Sequence, residues 1–355
     1  MSVTRGEAVR IEVPDGAFAG DEPLVSVQRG DYTGSLHRGT LAVVGVTGEV
    51  RLEIGNVDQP VYLRSAAKPF QVMPALLAGA IRQFGIEQSE LAVLCASHSA
   101  EPRHTEAVLS VLRKIGLDES ALHCGIHPPL SEKTAKQRIR AGVEPSPVCN
   151  NCSGAHTGML VACRASGWPV EGYGDAGHPV QIRIRSILAE FAGIATPEVA
   201  FATDNCHVPT FRLPVRNAAQ AFARLGTGYG VRSELAAAAE QVVAAMTAFP
   251  EMVGGEKRFD SDLMRVARVT IVCKGGAEAF QGLAVPGEKL GMALKISDGA
   301  SRAVAPVVMR VLEAIGALNE EQLRSLESYR EPITRDLEGE IVGRLAPVFS
   351  IGMDA

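Results

Sequence analysis

The chain is poor in aromatic side chains, with 11 Phe, 5 Tyr and 1 Trp in 355 residues. No block of Lys and Arg is interleaved with them, and the formal net charge is -5. Nucleic-acid binders rely on stacking platforms and cationic patches, so nucleic acid is not an expected partner. Nor does the charge favour an anionic membrane surface. Long hydrophobic runs are missing too. The longest, such as Leu91–Ala96, fall far short of the roughly 20 residues that cross a bilayer. Met1–Pro14 carries Arg5, Glu7, Arg10 and Glu12 and has no apolar core before a small-residue cleavage site. It does not read as a secretory signal, and a cytoplasmic location is the expectation. Seven cysteines are an odd number, which argues against a disulfide framework in such a chain. No internal repeat or low-complexity tract is visible.

What is present suits a globular protein with a sizeable core: 46% hydrophobic and 21% charged residues. The first part reads as β, in Leu24–Gln28, Thr40–Val46 and Val50–Ile54. Thr47-Gly48-Glu49 between the last two predicts a hairpin. After Ser65 the pattern turns helical. Helices are predicted over Gln71–Ala80, Ser89–Cys95, Glu106–Ile115, Ser131–Ala141, His156–Ala165, Val180–Phe191, Leu213–Leu225 and Ser233–Ala248. Strand-length runs return at Arg268–Cys273, Gln281–Val285 and Gly291–Ile296. Helices at Ala303–Ile315 and Glu320–Ser328 and a strand at Ile341–Phe349 complete the chain. This order predicts an α+β fold. Strands from both ends share one antiparallel sheet, and a helical lobe of about 69–250 is inserted between them. The catalytic domain is expected to span 20–355, after an N-terminal extension of 1–19. A cleft between sheet and lobe is where a small-molecule site is expected.

Six segments carry polar groups able to do chemistry. Arg64-Ser65-Ala66-Ala67-Lys68-Pro69 holds the only Ser-X-X-Lys spacing in the chain. On a helical turn Ser65 and Lys68 share a face. A serine hydroxyl needs a base to become nucleophilic, and a lysine serves once burial or a neighbouring cation lowers its pKa. Pro69 places Ser65 at or just before a helix start. The bare spacing also arises by chance. Cys95-Ala96-Ser97-His98-Ser99-Ala100-Glu101-Pro102 follows an apolar run. It reads either as a loop delivered to a cleft or as a helix C-terminus with capping serines.

Val148–His156 opens a helix, and Ala202–His207 is the fourth segment. Together they supply Cys149, Cys152, His156, Cys206 and His207, which fit either a Cys/His metal set or helix-start residues and buried thiols. Asp204 is the only carboxylate within those two segments and suits a substrate ammonium. Cys273-Lys274-Gly275-Gly276-Ala277-Glu278 puts a cation beside bare backbone at a strand end. Leu294–Ala303 reads as strand, Asp-Gly turn and helix, with Ser301 as N-cap.

Taken together and in this order, the six segments resemble the bacterial L-asparaginase family that shares the serine β-lactamase and glutaminase fold. That family is unrelated to the asparaginases with a threonine nucleophile. The resemblance runs from about Val25 to the end. It implies hydrolysis of L-asparagine, with Ser65 as nucleophile, Lys68 as its base and Ser97–Lys274 as a second Ser–Lys pair. It places Arg64, His156 and Asp204 at the substrate's charged groups. Arg64 would take the carboxylate and Asp204 the α-ammonium. It matches Cys152 and Cys206 to cysteines that hold zinc, and it implies a homodimer and no organic cofactor. The helix start and a backbone N–H near Gly275 would form the oxyanion hole. One departure stands out: the family's Cys-Ser-Gly-Lys-His has Ala155 in place of the lysine. Related acyl transfer on glutamine, a peptide or a β-lactam stays open, as does a non-catalytic ligand- or metal-binding role, which Ala155 favours.

Overall fold

The computed structural model describes residues 17–351. Residues 1–16 of the expected N-terminal extension lie outside them. In chain order the strands are β1 (Glu22–Arg29), β2 (Tyr32–Gly45), β3 (Val50–Ile54), β4 (Pro60–Tyr62), β5 (Ala200–Thr203), β6 (Pro209–Pro214), β7 (Val272–Gly276), β8 (Phe280–Val285), β9 (Leu290–Ile296), β10 (Ile333–Arg335) and β11 (Ile341–Pro347). The main sheet runs β10-β11-β1-β2-β9-β8-β7, with β3 also on β2. Every pairing in it is antiparallel. The α+β expectation holds. Val25 lies opposite Pro347, so the first and last strands are neighbours. The chain between β4 and β7 is mostly helical.

The sheet is covered on both faces, because every residue of β8 and all but one of β9 are buried. This is why those strands read as continuous apolar runs rather than as alternation. Helix Val215–Thr227 packs against β2, β8 and β9, and helix Val304–Ala314 packs against β1, β9 and β11. The first contact is close enough to dictate glycine. A Cβ on Gly291 would stand 2.1 Å from the Ala219 carbonyl oxygen.

The predicted hairpin forms, with Leu41 opposite Ile54 and Val43 opposite Leu52. Elsewhere the boundaries move for local reasons. Gln71–Ala80 is not one helix. Lys68–Gln71 and Met73–Leu77 are separate short turns, and Gly79 adopts φ +70° before Ala80–Phe84. Leu213 belongs to β6, and the helix starts after Pro214, whose preset φ suits a helix entry. Arg268–Thr270 is a 3₁₀ turn, and the strand starts at Val272. Ser301 caps nothing and opens a 3₁₀ turn itself. β4, β5 and β6 form a small second sheet that local pattern does not signal. No helix among the described residues is long and apolar enough to cross a membrane.

Candidate active site

The Ser65 turn is wedged between both sheets. Leu63 donates its N–H to Phe211 of β6 at 2.9 Å. On the other side β7 lies against the turn because residue 276 is glycine. A Cβ there would meet the Leu63 carbonyl oxygen at 2.3 Å. Arg64 takes φ +50°, an uncommon conformation for a non-glycine that persists only where the surroundings hold it. Ser65 stands in the 3₁₀ turn Arg64–Ala67, and Lys68 is helical despite the proline that follows. Phe70, fully buried, fixes the next turn edge-on between Phe191 and Phe222 at 5.3 and 5.6 Å.

In the Cys95–Pro102 segment, Cys95–Glu101 is a buried loop that follows helix Gln88–Leu94, and Pro102 opens the next helix, Pro102–Lys114. Ser97 donates its N–H to the Val253 carbonyl at 3.0 Å, which fixes its place in the cleft. The Lys68 ammonium, only 3% exposed, has three acceptors: Ser97 Oγ at 3.0 Å, Cys152 Sγ at 3.3 Å and the Asn151 carbonyl at 3.4 Å. The sequence pairs Ser65 with Lys68, yet the hydrogen bond runs from Lys68 to Ser97. Ser65 Oγ is free of hydrogen bonds among the described residues.

Lys274, at 2% exposure on β7, donates to the Gly275 carbonyl at 2.7 Å and stands 3.9 Å from Asp260. It makes no hydrogen bond to Ser97. Burial pushes its pKa down to about 8, with the Lys68 and Arg258 charges acting the same way and Asp260 opposing them. Asp260 heads helix Phe259–Ala267. Its carboxylate accepts the Gly275 N–H at 2.7 Å and the Gln281 side-chain amide at 3.0 Å. Gly275 therefore has no N–H free for an oxyanion. Asp260 and Gln281 escape sequence reasoning because an acid in a helix's first turn is an ordinary cap.

Arg64 and Asp204 are partners of each other. The guanidinium donates to both Asp204 oxygens, at 3.1 and 2.7 Å, and also to Glu278 at 2.7 Å and Asn205 at 2.8 Å. The Asp204 hydrogen bond holds the guanidinium pKa above its usual value. With every arm engaged, Arg64 is not the free carboxylate ligand that the resemblance implies.

Behind Ser65 a small cavity is lined by Lys68, Cys152, Ala155, His156, Asp204 and Cys206, among others. His156 is bound to the Tyr173 hydroxyl through Nδ1 at 2.6 Å, while its buried Nε2 has no partner. Burial pushes this imidazole down to about 3, so it is neutral. The neighbouring Cys206 thiol and the Lys68 charge draw the Cys152 thiol down to about 5. The Cys152 neighbour and burial push the Cys206 thiol up. No group of three or more His, Cys, Asp or Glu able to hold a metal occurs among the described residues. His207 is exposed, Cys149 lines neither cavity, and Ala155 offers no donor. Two thiols without a third ligand do not fit a structural zinc.

On the open side of Ser65 lies a cleft of about 430 Å³ whose walls include Ser97, Asn151, Arg258, Asp260 and Ala277. Ser65 lines both spaces. Two serines and two buried lysines beside one cleft are equipped for nucleophilic acyl transfer. Arg258 and Asn151 were not singled out from the sequence, where neither carries a distinctive spacing.

No curated protein matches the chain. Among solved structures it is similar to Mglu in its native form, at 16% identity, over 81% of this chain and 67% of that one, with a TM-score of 0.47. It is also similar to a beta-lactamase from Mycobacterium bovis, at 14% identity over 78% and 94% of the two chains, with a TM-score of 0.42. The family model described as L-asparaginase II matches residues 25–347, nearly the whole described length, and the chain belongs to that family.

Proposed function

We propose that the protein hydrolyses L-asparagine to L-aspartate and ammonia through an acyl-enzyme on Ser65. Family membership supports an amidohydrolase. The observation that carries the reading is the convergence of Ser65, Ser97, Lys68 and Lys274 beside one cleft. Ser65 Oγ attacks the side-chain amide carbon and its proton passes to Lys68, which enters the step as the neutral amine and leaves it as the ammonium. The Ser65 and Ala277 N–H groups face the carbonyl oxygen. Both residues line the cleft, and neither N–H donates a hydrogen bond among the described residues. Ser97, hydrogen-bonded to Lys68, relays a proton to the departing nitrogen, so the C–N bond breaks and ammonia leaves. A water then attacks the acyl carbon, assisted by Lys274, and aspartate departs as Ser65 regains its proton. Asp204 faces the substrate ammonium from within its pair with Arg64. No step passes through a metal. The reading keeps the homodimer that the resemblance implies.

Ammonia release from a panel of L-asparagine, L-glutamine, a peptide amide and a β-lactam tests the substrate. L-Asparagine is expected to give the highest kcat/KM. Turnover confined to another amide overturns asparagine as the substrate. A folded protein that turns over none of them points to ligand binding instead.

The buried lysine predicts the pH dependence. If neutral Lys274 assists deacylation, kcat rises through about pH 8. Lys274→Met is expected to flatten that limb, and a profile unchanged in this variant removes Lys274 from the step. Stability moves with it. Between about 8 and the ordinary lysine range the unfolded chain binds a proton that the folded chain does not. Stability therefore rises with pH across that window.

A further inference from the structure

The open cleft has three charged residues in its walls: Arg258, Asp260 and Glu278. Two of them are already satisfied. Asp260 holds Gly275, Gln281 and Lys274, and Glu278 holds Arg64. The Arg258 guanidinium makes no hydrogen bond and no ion pair among the described residues. It is half-buried, at the N-cap of helix Phe259–Ala267, two residues before the Asp260 that organises Lys274. Its charge acts on Lys274, which stands 3.9 Å from Asp260.

A partly desolvated guanidinium with all its donors unused is set to receive a planar anion bidentately. Arg64 cannot play that part, because Asp204, Asn205 and Glu278 occupy it. We propose that Arg258 is the anchor for the substrate's free carboxylate, and that it restricts the protein to amides carrying such a carboxylate on the acyl side. The inference rests on the hydrolase reading above and assigns its specificity to a residue that the sequence did not single out.

A second observation agrees. Arg258 also lines a neighbouring surface groove of about 760 Å³. The acids of that groove are paired, Glu132 with Lys136 and both Glu101 and Glu256 with Arg103. Lys133, Arg140 and Lys257 line it without ion pairs among the described residues. The approach to the cleft is thus positive, which concentrates anionic substrates at its mouth.

The test compares wild type, Arg258→Gln and Arg258→Lys on L-asparagine and on its diamide, in which the carboxylate is masked. Succinate, a dicarboxylate that cannot react, is titrated calorimetrically in parallel. Loss of a charge-assisted bidentate contact is expected to raise KM for L-asparagine by about ten-fold or more in Arg258→Gln, with kcat within about two-fold when all kinetics are compared on the high-pH plateau, where Lys274 is neutral with or without the Arg258 charge. The diamide is expected to be indifferent to the substitution, succinate to bind about ten-fold more weakly, and Arg258→Lys to recover part of both losses. An unchanged KM for L-asparagine, or an equal loss on the diamide, overturns the assignment. If wild type turns over no amide, the hydrolase reading fails but the titration still decides. Succinate binding that depends on Arg258 supports the anchor, and binding that is absent or indifferent to it overturns it. Thermal melts of both variants exclude misfolding as the cause, since a half-buried, unpaired side chain supports little of the fold.

Discussion

Ser65→Ala lowers ammonia release from L-asparagine by about 10⁴-fold or more while the protein stays folded. The substitution removes one oxygen, and that oxygen makes no hydrogen bond among the described residues, so nothing in the structure depends on it. A melting curve within about 0.5 kcal/mol of wild type is expected. Activity behaves differently, because removing the nucleophile abolishes the covalent route outright. Ser97→Ala is the control that separates the two serines. Ser97 is buried and accepts from Lys68, so its loss costs about 1 kcal/mol of stability and slows turnover by a smaller factor. Steady-state ammonia assays with thermal melts give both readouts. Should Ser97→Ala collapse while Ser65→Ala retains turnover, the nucleophile is Ser97, and mass spectrometry of an acyl adduct would locate it there.

Lys68→Met is the second large effect. Methionine matches the stem of lysine in length and tolerates a buried site. It removes the ammonium that joins Ser97 Oγ, the Asn151 carbonyl and Cys152 Sγ. A fall in kcat of about 10³-fold is expected, since one group takes the Ser65 proton and passes it onward through Ser97. Stability is expected to change far less. Losing three hydrogen bonds is destabilising, but desolvating a charge no longer opposes folding, and the two effects offset one another. A variant with unchanged kcat would remove Lys68 from proton transfer and leave that role to Lys274, the other buried amine beside the cleft among the described residues.

Much of the architecture is legible in the chain because it depends on near neighbours. The β2–β3 hairpin follows from a turn triplet between two β-branched runs. Helix Ser233–Ala248 and strands β8 and β9 follow from periodicity and the breakers that flank them. The small sheet of β4, β5 and β6 is not legible. β4 has three residues and β5 four, too few to show a period, and they are brought together by tertiary packing. Helix edges at Pro214 and Gly79 are hidden in the sequence because an apolar period continues across a residue that ends the backbone pattern.

The same division runs through the site. Which segments carry chemistry was determined by the sequence alone. Residue types such as a serine three before a lysine, or a lysine before two glycines, are local facts, and six of them in order identify the family. How those groups pair was decided by the tertiary structure. Lys68 reaches Ser97, 29 positions away, rather than Ser65. Arg64 closes on Asp204 across 140 positions instead of staying free. Asp260 takes the Gly275 N–H, so of the backbone near Gly275 that the resemblance implies for an oxyanion it is Ala277 whose N–H is free among the described residues. Buried charges and donors must each find a partner. Which partner is within reach depends on how distant strands and helices pack, and that geometry leaves Arg258 as the unpaired charge in the cleft wall.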